Sequence, residues 1–369
     1  MTSSSSALTA WRNAAAEAQA MLPRGPTPRR AYVLEPSPPA MEAPPYFADD
    51  PAVPGSGVPD DHAGRPAPGG LVGTETVTPT SAGDVTWHEL AGTDGNLADF
   101  ARDRWLGPWR RLRSLPEDYL RGLQDAHRLA YAVVAEARRA ANGKFGLRYT
   151  AGGFGTPFFS RNGRDTQVRV VAGQIVLQYD EEAAAAAIGS LAGAAAHCGV
   201  EPGSEAAEHD SPPLDDVQRQ LRVDAELTSF LGDWFGFASS VLEELRLTPG
   251  AHDVGRMQLW PGHFDPAVEL TAGDPGDGAQ GSPAGGQALA SAGGDVSRRA
   301  TYGASPGDQH NPAPYLYVGP WGGIDDDPYW GAAGFGGAAL GYDELLAAPD
   351  QRQAALDFFA AGYGRLSRH

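Results

Sequence analysis

Two short motifs in this chain mirror each other: His263-x-Asp265 inside "LWPGHFDPAVEL" and Asp308-x-His310 inside "YGASPGDQHNPAP". Each sets an imidazole two residues from a carboxylate, next to a run that alternates as a β-strand does. If the two strands are neighbours, two imidazoles and two carboxylates meet at one edge of a sheet. That donor set suits zinc, manganese or iron with water completing the shell. The same residues have a structural use as well. An aspartate before a strand accepts backbone N–H bonds in an Asx turn, and "SPGD" places Pro and Gly where a tight turn uses them. On that reading Asp265 caps the turn after His263, and His263 bonds a carbonyl.

The same region is rich in aromatic residues. Trp260, Tyr302, Tyr315, Tyr317 and Trp321 are the candidates for a ligand-binding face, and alternation puts Tyr315 and Tyr317 on one side of their strand. Ordinary core packing is the competing account of such residues. Other catalytic arrangements are missing: "FGFAS" and "FGGAA" lack the serine of a nucleophile elbow, and "GGFGTPFF" lacks the lysine and helix of a phosphate loop. Its glycines are expected to serve a turn.

The elements that must position these groups follow from periodicity. A core-facing helix is expected over about Glu117–Asn142, capped by Ser114, with His127 packed on its apolar stripe and "NG" closing it. "DTQVRVVAGQIVLQYD" reads as a hairpin turning at Ala172 and Gly173. "EEAAAAAIGSLAGAAAHCGV" is expected to be a helix, with Cys198 an inert filler near its end and only His197 as a basic neighbour. A long helix is expected from about Leu214 to Leu247, opened by "DSPP". Strands follow in "DVGRMQLW", "DPAVEL", "RRATYGA", "PYLYVG" and "AALGY", then a last amphipathic helix. Hairpin-joined strands with helices grouped in sequence argue for an α+β fold, an antiparallel sheet packed with long helices.

Composition bounds the rest. The 48 glycines and 31 prolines of the 369 residues concentrate in segments too poor in apolar surface to order themselves. Residues 1–83 therefore read as a largely disordered Pro/Gly-rich tail with a short helix, and 84–369 as one α+β domain with a sub-boundary near 248. Within it, 272–295 is a low-complexity loop. A net charge of −18 argues against nucleic acid and anionic membranes as partners, although a local basic patch is compatible with it. Lys144 is the only lysine, which confines Schiff-base chemistry to one residue, and the arginine-, alanine- and glycine-rich usage points to a high-GC bacterial genome. Cys198 is the only cysteine, so no intrachain disulfide forms. The opening segment lacks a secretory pattern, no run approaches the roughly 20 apolar residues of a membrane span, and a cytoplasmic location is expected.

Taken together, "GGFGTPFF", "LWPGHFD", "YGASPGDQHNPAPYLYVGPW" and "FGGAALGYDELL" resemble an actinobacterial protein family, a domain of unknown function, over about residues 84–369. Leu259, Trp260, Pro261, His263, Phe264 and Asp265 match its Leu-Trp-Pro-x-His-Phe-Asp motif, and Tyr302 to Asp308 match its Tyr-Gly-Ala-Ser-Pro-Gly-Asp block. The order of elements is more loosely similar to a second actinobacterial domain family. The resemblance implies fold boundaries and brings no activity, cofactor or catalytic residue; the loop 272–295 is longer than the family's pattern. The expected function is a noncatalytic domain that binds a small molecule or a protein through the aromatic face near His263. The alternative is a metal-assisted hydrolase or oxygenase-like enzyme using His263, Asp265, Asp308 and His310. Cofactors are unknown from sequence.

Overall fold

The computed structural model describes residues 112–368 apart from 151, 158, 180–181, 247, 256, 274–295, 309 and 325. The expected tail and its short helix, residues 84–111 and most of the loop 272–295 lie outside the described residues. What is described is an α+β arrangement of helices and two antiparallel sheets.

The first helix forms where the apolar stripe predicts it, but its ends and its middle differ from expectation. α1 (Tyr119–Leu129) passes into a π-helical segment, Ala130–Ala135, and continues as α2 (Glu136–Asn142), which Gly143 closes at φ 77°. Ser114 does not cap it; Asp118 stands at the N-cap with φ 54° and makes no side-chain cap bond. Inside the π segment the Ala132 carbonyl accepts a bond from the Gly203 amide, a partner outside the helix.

The first sheet holds β1 (Arg148–Thr150), β2 (Gly153–Gly155), β4 (Arg164–Val171), β5 (Gln174–Tyr179) and β6 (Glu182–Ala187) in that order, with β3 (Phe159–Arg161) pairing β4. The β4–β5 hairpin turns at Ala172 and Gly173, with φ 52° and 70°, as expected of a two-residue loop. "GGFG" turns at Gly152, φ 72°, between β1 and β2, as expected, and its remaining residues, Gly153–Gly155, form strand β2. Its glycines serve close packing: a Cβ on Gly232 of the long helix would collide with the backbone of Gly152 and Gly153.

The alanine run also departs from its helical reading. Glu182–Ala187 is the exposed edge strand β6, paired with β5 from Tyr179↔Glu182 to Gln174↔Ala187, and only Leu191–Cys198 is helical, as α3, capped by Ser190. The open edge of β5 supplies a full ladder of backbone partners, and small side chains fit it, so pairing overrides alanine's helix preference.

The long helix α4 is Ala225–Leu245, eleven residues shorter at its start than expected, and Asp224 caps it through the Leu227 amide. Residues 214–224 run along α1 and α3 instead. Val217 accepts from the Ala192 amide, the Leu221 amide bonds Gly189, and Asp125 takes the Arg222 amide, bonds that a helix there would forfeit.

The second sheet is a meander of β7 (Gln258–Trp260), β8 (Asp265–Thr271), β9 (Arg299–Ser305), β10 (Tyr315–Pro320) and β11 (Ala338–Gly341), followed by α5 (Tyr342–Ala347) and α6 (Gln351–Leu366). Period-two alternation sends Val268, Tyr302, Leu316 and Val318 inward, where they join one hydrophobic cluster with α4 and α6 that also contains the inner face of the first sheet. A bridge between Leu147 and Leu259 links the two sheets. The outer face of the meander carries Asp265, Tyr315 and Tyr317.

Candidate functional site

β8 and β9 are neighbours, as the mirrored motifs require, with Ala267 opposite Gly303. Asp265 opens β8 and Asp308 lies just past the end of β9, so the two carboxylates come to the same end of the sheet. The two histidines do not join them in a shared shell. His263 turns to Asp210, with Nδ1 at 3.0 Å from Oδ2, and the His209 ring stands edge-on at 5.7 Å. His310 is 90% exposed and only approaches Asp308, at 3.9 Å. Among the described residues no group of three or more His, Cys, Asp or Glu side chains is placed to hold a metal ion.

The turn that presents His263 is built by His127. Carbonyl oxygens only accept, so the His127 Nε2–H donates to Pro261 and Gly262, each at 2.9 Å. Its ring stacks on Phe264, whose φ of 58° completes the turn. Ser211 adds a hydroxyl bond to the Gly262 carbonyl. His127 is thus the packed histidine that its stripe predicts, fixing the Pro-Gly-His-Phe turn. Burial lowers its pKa to about 4, against the two carbonyl bonds that favour the cation. His263 moves the other way, to about 9, because its bond to Asp210 and the nearby Asp265 and Glu208 charges outweigh partial burial.

Asp308 is the Asx turn that "SPGD" implies. Its Oδ1 accepts the amides of His310 and Asn311 at 2.6 and 2.8 Å, and its Oδ2 accepts the Tyr315 hydroxyl at 2.9 Å. Asp265 differs from the expected turn cap. Its Oδ2 accepts the Tyr317 hydroxyl at 2.5 Å, from two strands away. The residue is 3% exposed, and its Oδ1 is buried with no hydrogen-bond partner among the described residues. Burial therefore raises its pKa, against the Tyr317 bond and the His263 charge. The same burial, with the Asp265 charge, raises Tyr317 well above the usual phenol range.

The aromatic candidates divide between the faces. Tyr315 and Tyr317 share the outer side as alternation predicts, with ring centres 6.3 Å apart, and Phe335 meets Tyr317 edge-on. Trp260 stands opposite Asp265 in the β7–β8 pair and is 41% exposed. Trp321 is 48% exposed, bonded to Thr301 Oγ1 and stacked by Arg299 at 4.6 Å. Tyr302 does not belong to this set: one residue out of phase, it is fully buried on the inner face against Phe359. Sequence reading missed Asp210, 53 residues from His263 and without any local signal, and Gly303, over which Tyr317 lies.

The arrangement is a buried hydrogen-bond acceptor, Asp265, on the outer face of an antiparallel sheet, bonded by the Tyr317 phenol, with Tyr315 beside that ring and Trp260 opposite Asp265 in the β7–β8 pair. Compared with protein-family models, curated proteins and solved structures, the chain gives no match in any of the three.

Proposed function

We propose that this domain is a noncatalytic binding module that takes a small molecule bearing an N–H or O–H donor on the outer face of the second sheet. One observation carries the reading: Asp265, almost wholly buried, keeps its Oδ1 without a hydrogen-bond partner among the described residues. Leaving such a group unpaired costs roughly 1–3 kcal/mol, and a ligand donor directed at Oδ1 recovers it. Tyr315, Tyr317 and Phe335 beside it, with exposed Trp260 nearby, give the flat apolar contacts that orient a small ring. Metal-assisted hydrolysis or oxygenation has less in its favour, since His263 and His310 engage separate carboxylates.

The test is a saturation-transfer NMR screen of aromatic amines and alcohols against the wild type and Asp265→Ala. Hits that vanish in the variant while its stability holds support the site. Hits that persist unchanged, or a screen without any hit competing at this face, overturn it.

A further inference from the structure

We infer that a second site, between α1 and the extended segment 214–224, binds a phosphomonoester dianion. A cleft of about 450 Å³ opens there, within the size range of small-ligand sites, and four arginines line it: Arg121, Arg128, Arg219 and Arg222. This is a concentration of positive charge in a chain whose formal net charge is −18.

The cleft is organised from beneath by Asp125, 3% exposed on α1. Its Oδ1 accepts Arg128 at 2.9 Å and Arg219 at 2.7 Å, and its Oδ2 accepts the Arg222 amide at 2.9 Å. Burial pushes the Asp125 carboxyl up, yet the bonds from Arg219 and Arg222 and the two guanidinium charges hold it below its ordinary value. It is therefore a fixed anion that pins the floor. Gly122 lets the segment come close: a Cβ there would press on Leu227 and the Arg222 carbonyl.

Asp125 occupies Arg219, and Asp215, at 3.7 Å, stands with Arg128. Asp216 adds its charge near Arg219. Arg121 and Arg222 remain, both exposed and on opposite walls, with no side-chain partner among the described residues. Two guanidinium forks lining one cleft, from α1 and from the segment 214–224, suit the oxygens of a phosphate, with Gln124 beside them, while the Gln220 amide is held by the Ile188 and Leu221 carbonyls. Long-range repulsion by the acidic chain means that affinity comes from these contacts alone and weakens with salt. The site is separate from the sheet's outer face and stands or falls independently of it.

Calorimetric titration of the full chain with adenosine 5′-monophosphate, at low salt and pH 7.5, tests it, with adenosine as the uncharged control. The expected result is saturable binding at one site, undetectable with adenosine, and at least tenfold weaker in the double variant Arg121→Gln, Arg222→Gln. Weakening at pH 5, where the phosphate becomes a monoanion, is also expected. Equal affinity in the double variant, binding of adenosine as tight as the phosphate, or no saturation at millimolar concentration overturns the proposal. Both substituted side chains are exposed, and an unchanged melting curve confirms that the variant is folded.

Discussion

The Tyr317 phenol lies directly over Gly303 and donates its hydrogen bond to Asp265, so that one side chain of β10 spans β9 to reach β8. A Cβ at position 303 would occupy the space of the phenol's outer ring atoms and hydroxyl. Glycine is needed there for clearance rather than for an unusual backbone angle.

Gly303→Ala should therefore displace Tyr317, strand the Asp265 carboxyl and destabilise the fold by about 1–3 kcal/mol, the usual range for overpacking. Urea unfolding measures it. Adding Tyr317→Ala to the Gly303→Ala chain should recover much of the clash energy, and an additive double variant would show that the two residues do not share this space.

Asp265→Asn should stabilise the protein at pH 7 by about 0.5–2 kcal/mol. The folded pKa of Asp265 is raised, so its neutral form is the one the fold favours. Its stabilising effect is present below the ordinary carboxylate range and is lost as pH rises through the folded value. The gap between variant and wild type should thus narrow toward pH 4. Denaturation midpoints from pH 4 to 8 decide it, and a gap that widens on acidification contradicts the burial argument.

Two histidines on one turn should titrate at opposite extremes. His127, lowered to about 4, stays neutral in the fold, so its contribution to stability is present above the unfolded value near 6.5 and declines as pH falls toward 4. His263, raised to about 9, contributes below about 6.5 and loses that contribution as pH rises through 9. Imidazole NMR shifts at pH 5.5 and 8 should show a neutral His127 and a protonated His263. Asp210→Asn should bring His263 down, since its bond to Asp210 is the largest cause of the rise, and leave His127 neutral.

Cys198 should react slowly with a thiol reagent in the native state. It is fully buried, and burial pushes its pKa up to about 12 even though Arg161, unforeseen in the sequence, bonds its carbonyl and favours the thiolate. Labelling should be at least a hundredfold faster in denaturant. A native rate near that of the unfolded chain would mean that the end of α3 opens readily.

The sequence by itself determined what depends on local pattern. Alternation identified the five strands of the second sheet and the shared face of Tyr315 and Tyr317, and the helical stripe identified His127 as packed. The turn chemistry of "SPGD" put Asp308 in an Asx turn, and Ala-Gly closed the hairpin. These are properties of neighbours a few residues apart. Tertiary structure alone decided the rest, because the competing interactions join residues that sequence keeps far apart. The edge of β5 made a strand of an alanine run, and Asp125, nearly a hundred residues away, held Arg219 and the Arg222 amide where a helix was expected. Phase placed Tyr302 in the core, one residue from the outer face. Asp210 captured His263, and Tyr317 captured Asp265, so the mirrored motifs meet at one end of the sheet without forming a single coordination shell. Spacing limits which side a residue can face; which partner it meets depends on how distant strands and loops pack.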